Sequence, residues 1–116
     1  MEQSRVLAAL SALANETRLE LVRRLIQQGP EGMAAGDIAR DLDVSASRLS
    51  FHLSQLEQAG LITGRKASRN VFYSVDAVGI GRVIGYLLND CCRSHPEVCA
   101  CCTPRHAASP PEQDGE

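Results

Sequence analysis

Five cysteines, Cys91, Cys92, Cys99, Cys101 and Cys102, fall within twelve residues of one another, in the string C-C-R-S-H-P-E-V-C-A-C-C. Thiolates at this density suit a soft, thiophilic centre or redox chemistry, whereas a hard ion such as Mg²⁺ would require oxygen ligands. The N-terminus has no signal-peptide h-region and no apolar run approaches the roughly 20 residues needed to span a bilayer, so a cytoplasmic location is expected. In that compartment a cysteine cluster is a ligand or redox site rather than a disulfide framework. Adjacent cysteines on an intact helix point about 100° apart, and on an extended chain they point to opposite faces. Cys91 and Cys92 are therefore expected where a helix unwinds, with Pro96 marking that it has ended and Cys99 folding back across residues 93–98 to bring a third sulfur. Zinc would take four thiolates, or three with His95. Trivalent arsenic or antimony would be satisfied by three sulfurs in a pyramid, and Cys101 and Cys102 could form a second or alternative site. A redox-sensing cluster and an adventitious cysteine-rich tail stay open. No cysteine sits at a helix N-terminus or beside a strand, where a lowered thiol pKa would mark a thiol oxidoreductase or a small arsenate reductase, so no enzyme is expected.

A ligand site of this kind needs something to control, and the central stretch from Asp43 to Gly60 supplies a candidate. Leu49, Leu53 and Leu56 recur at four and three, with Ala59 one step further on, as the buried stripe of an amphipathic helix. Ser45 is placed as its N-cap and Gly60 as its C′ residue. The other face carries Ser47, Arg48, Ser50, Ser54 and Gln55, short or planar donors and acceptors suited to base edges and phosphates in a major groove about 12 Å wide. A short helix from about Ala34 to Leu42, resting on Ile38 and Leu42, precedes it by only Asp43, Val44 and Ser45. Two helices joined so closely have the layout of a helix-turn-helix whose second helix reads DNA.

The remaining pattern completes a winged helix. Val6, Leu7, Leu10 and Leu13 predict a first helix from about Ser4 to Leu13. Asn15 caps a second helix with Leu19, Val22, Leu25 and Ile26 as its stripe, ended by Gly29-Pro30. After Gly60 the period changes: Leu61-Ile62-Thr63 and Val71 to Val75 are β-prone, flanking a tip, Gly64 to Asn70, that contains Arg65, Lys66, Arg69 and no acid. Such a basic hairpin suits a phosphate backbone. Net charge is −2, but residues 45–75 hold four cations (Arg48, Arg65, Lys66, Arg69) against Glu57 alone, so the positive charge gathers where DNA would lie. Asp76 begins a last helix reaching about Cys91, with Ile80, Val83, Ile84, Leu87 and Leu88 as its stripe. It is weakened by Gly79, Gly81 and Gly85 at about 1 kcal/mol each relative to Ala. That helix is expected to pack with the first helix and with a twofold-related copy, forming a dimer for a palindromic operator. The fold class is thus mainly α with a small β-hairpin. Residues 1–92 form the DNA-binding and dimerisation domain, and residues 93–116 a cysteine-containing, largely flexible tail in which His106 is solvated.

Three strings carry a family resemblance: Ala12-Leu13-Ala14-Asn15-Glu16-Thr17-Arg18-Leu19, then Asp37-Ile38-Ala39, then Ser45-Ala46-Ser47-Arg48-Leu49-Ser50-Phe51-His52-Leu53-Ser54-Gln55-Leu56 with Ala59-Gly60-Leu61-Ile62. Together they resemble the ArsR/SmtB family of metal-responsive repressors over about residues 5–88. The resemblance implies a winged-helix homodimer that occupies an operator and leaves when a metal or metalloid binds. It places Ser45, Ala46, Ser47, Ser50 and His52 at positions that meet DNA, although His52 on the helix flank could as well bond a phosphate or nothing. Two of the family's sensor sites have no counterpart. The third-helix cysteine motif is replaced by Ala34-Ala35-Gly36-Asp37-Ile38-Ala39, and residues 77–89 contain no His, Asp, Glu or Cys for a last-helix zinc site. The Cys91-Cys92 pair with Cys99 beyond it is similar to arsenite-responsive members.

Overall fold

The computed structural model describes residues 2–91, 93 and 95–102, so His106 and the rest of the chain beyond Cys102 lie outside the described residues. The chain divides after Val83 into two units, residues 1–83 and 84–116.

The first unit is built on four helices and a three-stranded sheet: α1 (Gln3–Leu13), α2 (Glu16–Gln28), β1 (Met33–Ala34), α3 (Ala35–Leu42), α4 (Ala46–Gln58), β2 (Ile62–Ala67), β3 (Asn70–Val75) and the start of α5 (Ala77–Gly85). Its core gathers one stripe from each helix: Val6, Ala9 and Ala12 of α1, Leu21, Val22 and Leu25 of α2, Ile38 of α3, and Leu49, Leu53 and Leu56 of α4, with Leu61, Ile62 and Val83.

Two stripes differ from the sequence expectation by a rotation of the helix. α1 turns the small residues Ala9 and Ala12 inward and leaves Leu7 57% and Leu10 39% exposed. Small side chains allow closer approach of α1 to its neighbours, which rewards this face over the leucine face. α2 buries Leu21 in place of Leu19 and Ile26, which are 49% and 57% exposed. The stripe through Leu21, Val22 and Leu25 extends back to Arg18 at the same spacing, so a cation lies at the end of a buried face.

Helix ends follow the sequence closely. The Asn15 side chain accepts the Arg18 N–H at 3.1 Å, and Gly29, with φ +76°, stops α2. The turn between α3 and α4 is made by Asp43 in the left-handed region at φ +55°, and Ser45 Oγ accepts the Arg48 N–H at 3.2 Å. Gly60 takes φ +79° after α4, and the Leu61 N–H closes onto the Leu56 carbonyl at 3.1 Å, a six-to-one closure that satisfies one of the last helical acceptors.

The sheet has the order β1-β3-β2, all antiparallel. β1 was not visible in the sequence: two residues cannot show an alternation, and Met33 and Ala34 become a strand only by pairing with Tyr73 and Phe72. The hairpin is tighter than its composition suggests. Gly64, Arg65, Lys66 and Ala67 belong to β2, and the turn itself is only Ser68 and Arg69, with Ser68 at φ +57°.

α5 is anchored at its start, where the Asp76 N–H donates to the Leu61 carbonyl at 2.9 Å and Asp76 Oδ1 accepts the Gly79 N–H at 2.9 Å. Gly79 lies directly against the backbone of Gly60: a Cβ placed there would stand 1.9 Å from the Gly60 carbonyl oxygen. The second unit begins within α5. Past Gly85 the helix widens into a π-helical stretch, Tyr86–Cys91, and a further helix α6 runs over Pro96–Cys102. The expected continuous helix to Cys91 is thus modified from Tyr86 onward. Pro96 also opens a helix where a loop to Val98 was expected, consistent with proline's preset φ at a first helical position. No helix among the described residues is long and apolar enough to cross a membrane.

The Gly60–Gly79 contact gives a direct test. Gly79→Ala should lower unfolding stability by about 1–3 kcal/mol through overpacking. Gly81→Ala, whose Cβ would meet nothing within 4 Å among the described residues, should leave it unchanged or raise it by up to about 1 kcal/mol. Urea denaturation of the two variants would measure the difference, and equal midpoints would refute the contact.

Candidate nucleic-acid interface

The outward face of α4 follows from how its inward face is spent. With Leu49, Leu53 and Leu56 buried, Ser45, Ala46, Ser47, Arg48, Ser50 and Ser54 are all exposed. Beside them stands Phe51, 58% exposed, which the sequence reading passed over because a single aromatic between polar residues carries no periodic signal. An exposed aromatic at this position adds an apolar surface of the kind that meets a thymine methyl group or a sugar.

The wing brings one of its cations to this face. A cleft of about 330 Å³ separates α3 and α4 from the wing, and its wall includes Gly36, Ala39, Ser50, Arg69, Asn70 and Tyr73. Arg69, in the hairpin turn, therefore stands across the cleft from Ser50. Asn70 joins it, a residue the sequence reading had placed only as the end of the tip. Burial, and then Glu57, push the Tyr73 phenol above its ordinary pKa, so it remains a neutral hydrogen-bonding group.

The other two wing cations are separated by the strand pleat. Lys66 is opposite Val71 and Arg65 opposite Phe72, so they point to opposite faces of the sheet. Arg65 is already engaged: its guanidinium lies 5.6 Å from the Phe72 ring centroid and donates to the Glu31 carbonyl at 3.3 Å. The three cations read as one tip are thus three different environments, with Arg69 at the turn, Lys66 on one face and Arg65 folded onto the other.

His52 differs from these residues in its burial. The resemblance sets it among positions that meet DNA, but it is 7% exposed and is the buried polar side chain of this core among the described residues. Its Nδ1 lies 3.1 Å from an Arg18 guanidinium nitrogen, and Arg18 Nε donates to the Ala12 carbonyl at 2.6 Å. The spacing of Leu49, His52, Leu53 and Leu56 is three, one and three, so His52 belongs to the buried stripe by helical geometry alone. The sequence contained that signal. Burial first, then the charges of Arg18 and Arg48, hold the His52 pKa below its ordinary value, so the ring is neutral.

α3 is held to α2 as the helix-turn-helix requires. Arg24 on α2 pairs with Asp41 on α3 and with Glu20 on its own helix, and these partners, Asp41 first, raise its pKa.

In the second unit the thiol positions are known only by backbone. Cys91 ends the π-helical stretch, and Cys99, Cys101 and Cys102 lie on α6. Their side chains, and Cys92 altogether, lie outside the described residues. His95 is described: its Nδ1 accepts the Glu97 N–H at 3.3 Å, so the ring caps the start of α6, leaving only Nε2 for any other partner. Among the described residues no three His, Cys, Asp or Glu side chains come together as a metal-ligand group.

Comparison with known proteins agrees with this geometry. A helix-turn-helix domain family matches residues 13–65. The solved structure of HlyU from Vibrio cholerae N16961 is similar at 31% identity and a TM-score of 0.62, over 79% of this chain and 99% of that one. The putative arsenical resistance operon repressor ArsR of Halobacterium salinarum is 51% identical over 57 residues, which are 49% of this chain and 43% of that protein. A homodimeric winged helix-turn-helix DNA-binding domain from Mycobacterium bovis shares the fold at 24% identity and a TM-score of 0.62, over 82% of this chain and 84% of that one.

Two expectations follow. Replacing Arg48 or Arg69 by Gln should weaken binding to duplex DNA of any sequence and reduce the log-affinity against log-salt slope by about 1 each, with Arg65→Gln changing it less. A salt titration by fluorescence anisotropy measures this, and an Arg65 effect larger than that of Arg69 would reverse the assignment. Because the folded His52 pKa is depressed, the unfolded chain takes up its proton first. Its contribution to stability is complete above about pH 6.5 and is lost as pH falls from there through the folded value. His52→Asn should flatten that part of the denaturation-midpoint profile, and an unchanged profile would show that His52 is not its source.

Proposed function

This chain belongs to the ArsR/SmtB family of winged helix-turn-helix transcriptional regulators, and from that premise we propose that it is a dimeric repressor released from its operator by trivalent arsenic or antimony. The observation that carries the inducer assignment is the donor set: five cysteines within twelve residues that straddle the end of the winged-helix domain, with two of the family's other sensor motifs absent. Kinship with a putative arsenical resistance repressor supports the same reading. Cys91, Cys92 and Cys99 are the proposed ligands, with Cys101 and Cys102 as a second or alternative pair. Three thiolates match the pyramidal demand of a trivalent pnictogen. His95, whose Nδ1 already caps α6, is a less available fourth ligand for zinc.

In this reading the exposed faces of Ser45, Ala46, Ser47, Arg48 and Ser50 enter the major groove, and Arg69 and Lys66 meet the backbone beside it. The apolar face left on α1 by Leu7 and Leu10 joins the twofold contact, since exposed leucines on adjacent turns are a surface that association would cover. The dimer presents two α4 helices about 34 Å apart, one turn of B-DNA. The inducer acts by binding the DNA-free state more tightly, and by linkage the operator must weaken inducer binding by the same factor.

The test uses the reduced protein and a duplex selected by it from a random pool, followed by anisotropy. Arsenite, a methylated trivalent arsenical or antimonite should lower affinity by more than about a hundredfold, corresponding to a coupling of about 3 kcal/mol. Cys91→Ser, Cys92→Ser and Cys99→Ser should each bind the duplex normally and fail to release it. Release by Zn²⁺, Cd²⁺ or peroxide with no response to arsenicals would overturn the inducer assignment and leave a zinc-, cadmium- or redox-responsive repressor of the same fold.

A further inference from the structure

We infer that Arg18 and His52 are positioning residues for DNA recognition: their link fixes the rotation of α4 about its axis relative to the α1–α2 corner, and protonation of His52 breaks it. The inference rests on the DNA-binding reading above and assigns a role to two polar groups on otherwise apolar stripes.

The first step is geometric. Leu49, Leu53 and Leu56 bury one side of α4, but apolar burial is non-directional and tolerates small rotations of a helix in its seat. A hydrogen bond is directional and weakens steeply off its axis. On α4's buried stripe the directional contact is His52 Nδ1 with Arg18 at 3.1 Å. One residue's step around a helix is about 100°, so a modest turn of α4 would re-aim Ser47, Arg48 and Ser50 together.

The second step is that the other end of the link is fixed. Arg18 does not reach out from a mobile surface: its Nε donates to the Ala12 carbonyl at 2.6 Å, in the last turn of α1, where helical carbonyls need partners from outside the helix. Its own backbone N–H is held by Asn15. One guanidinium thus spans three helices, α1 through Ala12, α2 through its own position and α4 through His52.

The third step is chemical. A guanidinium only donates, so Nδ1 must accept and the ring proton resides on Nε2. A second proton would occupy Nδ1, remove the acceptor and set an imidazolium against Arg18 from α2 and Arg48 from α4. Among the described residues those two arginines are the charged groups acting on the ring; α1 contributes the Ala12 carbonyl, already engaged by Arg18. Proton uptake therefore converts the link into a repulsion and frees α4 to turn.

The test compares His52→Asn, whose Oδ1 can replace Nδ1 as acceptor but does not titrate, with His52→Leu, which has no acceptor. Binding is read against a duplex selected by the wild-type protein and against a scrambled duplex, with circular dichroism melting in parallel. Near about pH 7.5, His52→Leu should lose about tenfold or more for the selected duplex while retaining scrambled-duplex binding, and His52→Asn should stay within about threefold of wild type. As pH falls from about 7.5 toward the acid limit of the folded state, the wild type should lose selectivity while remaining folded, and His52→Asn should not. Identical pH profiles for wild type and His52→Asn would overturn the inference, as would normal selectivity in a folded His52→Leu. If His52→Leu does not fold, the comparison of wild type with His52→Asn still decides. Failure of the wild type to select any duplex would instead refute the DNA-binding reading on which the inference rests.

Discussion

The exposed face of α4 depends on the burial of a single stripe of the same helix. Leu49, Leu53 and Leu56 are between 0% and 4% exposed, and fully burying a leucine side chain contributes about 1.5–3 kcal/mol before the cost of ordering is counted. Once these residues face inward, helical geometry obliges Ser47, Arg48, Ser50 and Ser54 to face outward. The caps at Ser45 and Gly60 set where the helix starts and stops, and Gly60 in turn supplies the backbone against which Gly79 and the start of α5 rest.

The sequence was most informative where one periodicity or one cap decided the structure. Asn15, Gly29, Ser45, Gly60 and Asp76 all end or begin elements as their chemistry requires. It was least informative where two faces of a helix competed. α1 and α2 each carry apolar residues on more than one side, and the choice of Ala9 and Ala12 over Leu7 and Leu10 depends on how closely neighbours approach, which is a property of the packed state. β1 was invisible because its strand character is conferred by β3. At the candidate site, composition marked Arg65, Lys66 and Arg69 as a group, but the pleat separates them. The burial of His52 was legible from its spacing on α4.

The second unit presents a different relation between sequence and structure. Its chemistry is obvious from residue type, five thiols in twelve residues, whereas its backbone is not what residue type suggests. Pro96 ends one segment and begins α6, and the π-helical stretch from Tyr86 to Cys91 interrupts the regular winding just where the cysteines begin. A widened turn is a costlier arrangement than the regular α-helix, and such turns occur frequently at functional positions.

The order β1-β3-β2 leaves β2 with an unpaired outer edge among the described residues, and a bare strand edge is a template on which another chain can add. Along this edge the chain carries Arg65 and Lys66, and the opposite edge is the two-residue β1, too short to recruit a partner. Their charge bears on how this edge meets another copy of the chain. Cations on an edge strand repel a like-charged wing of a neighbouring molecule and so oppose open-ended strand addition.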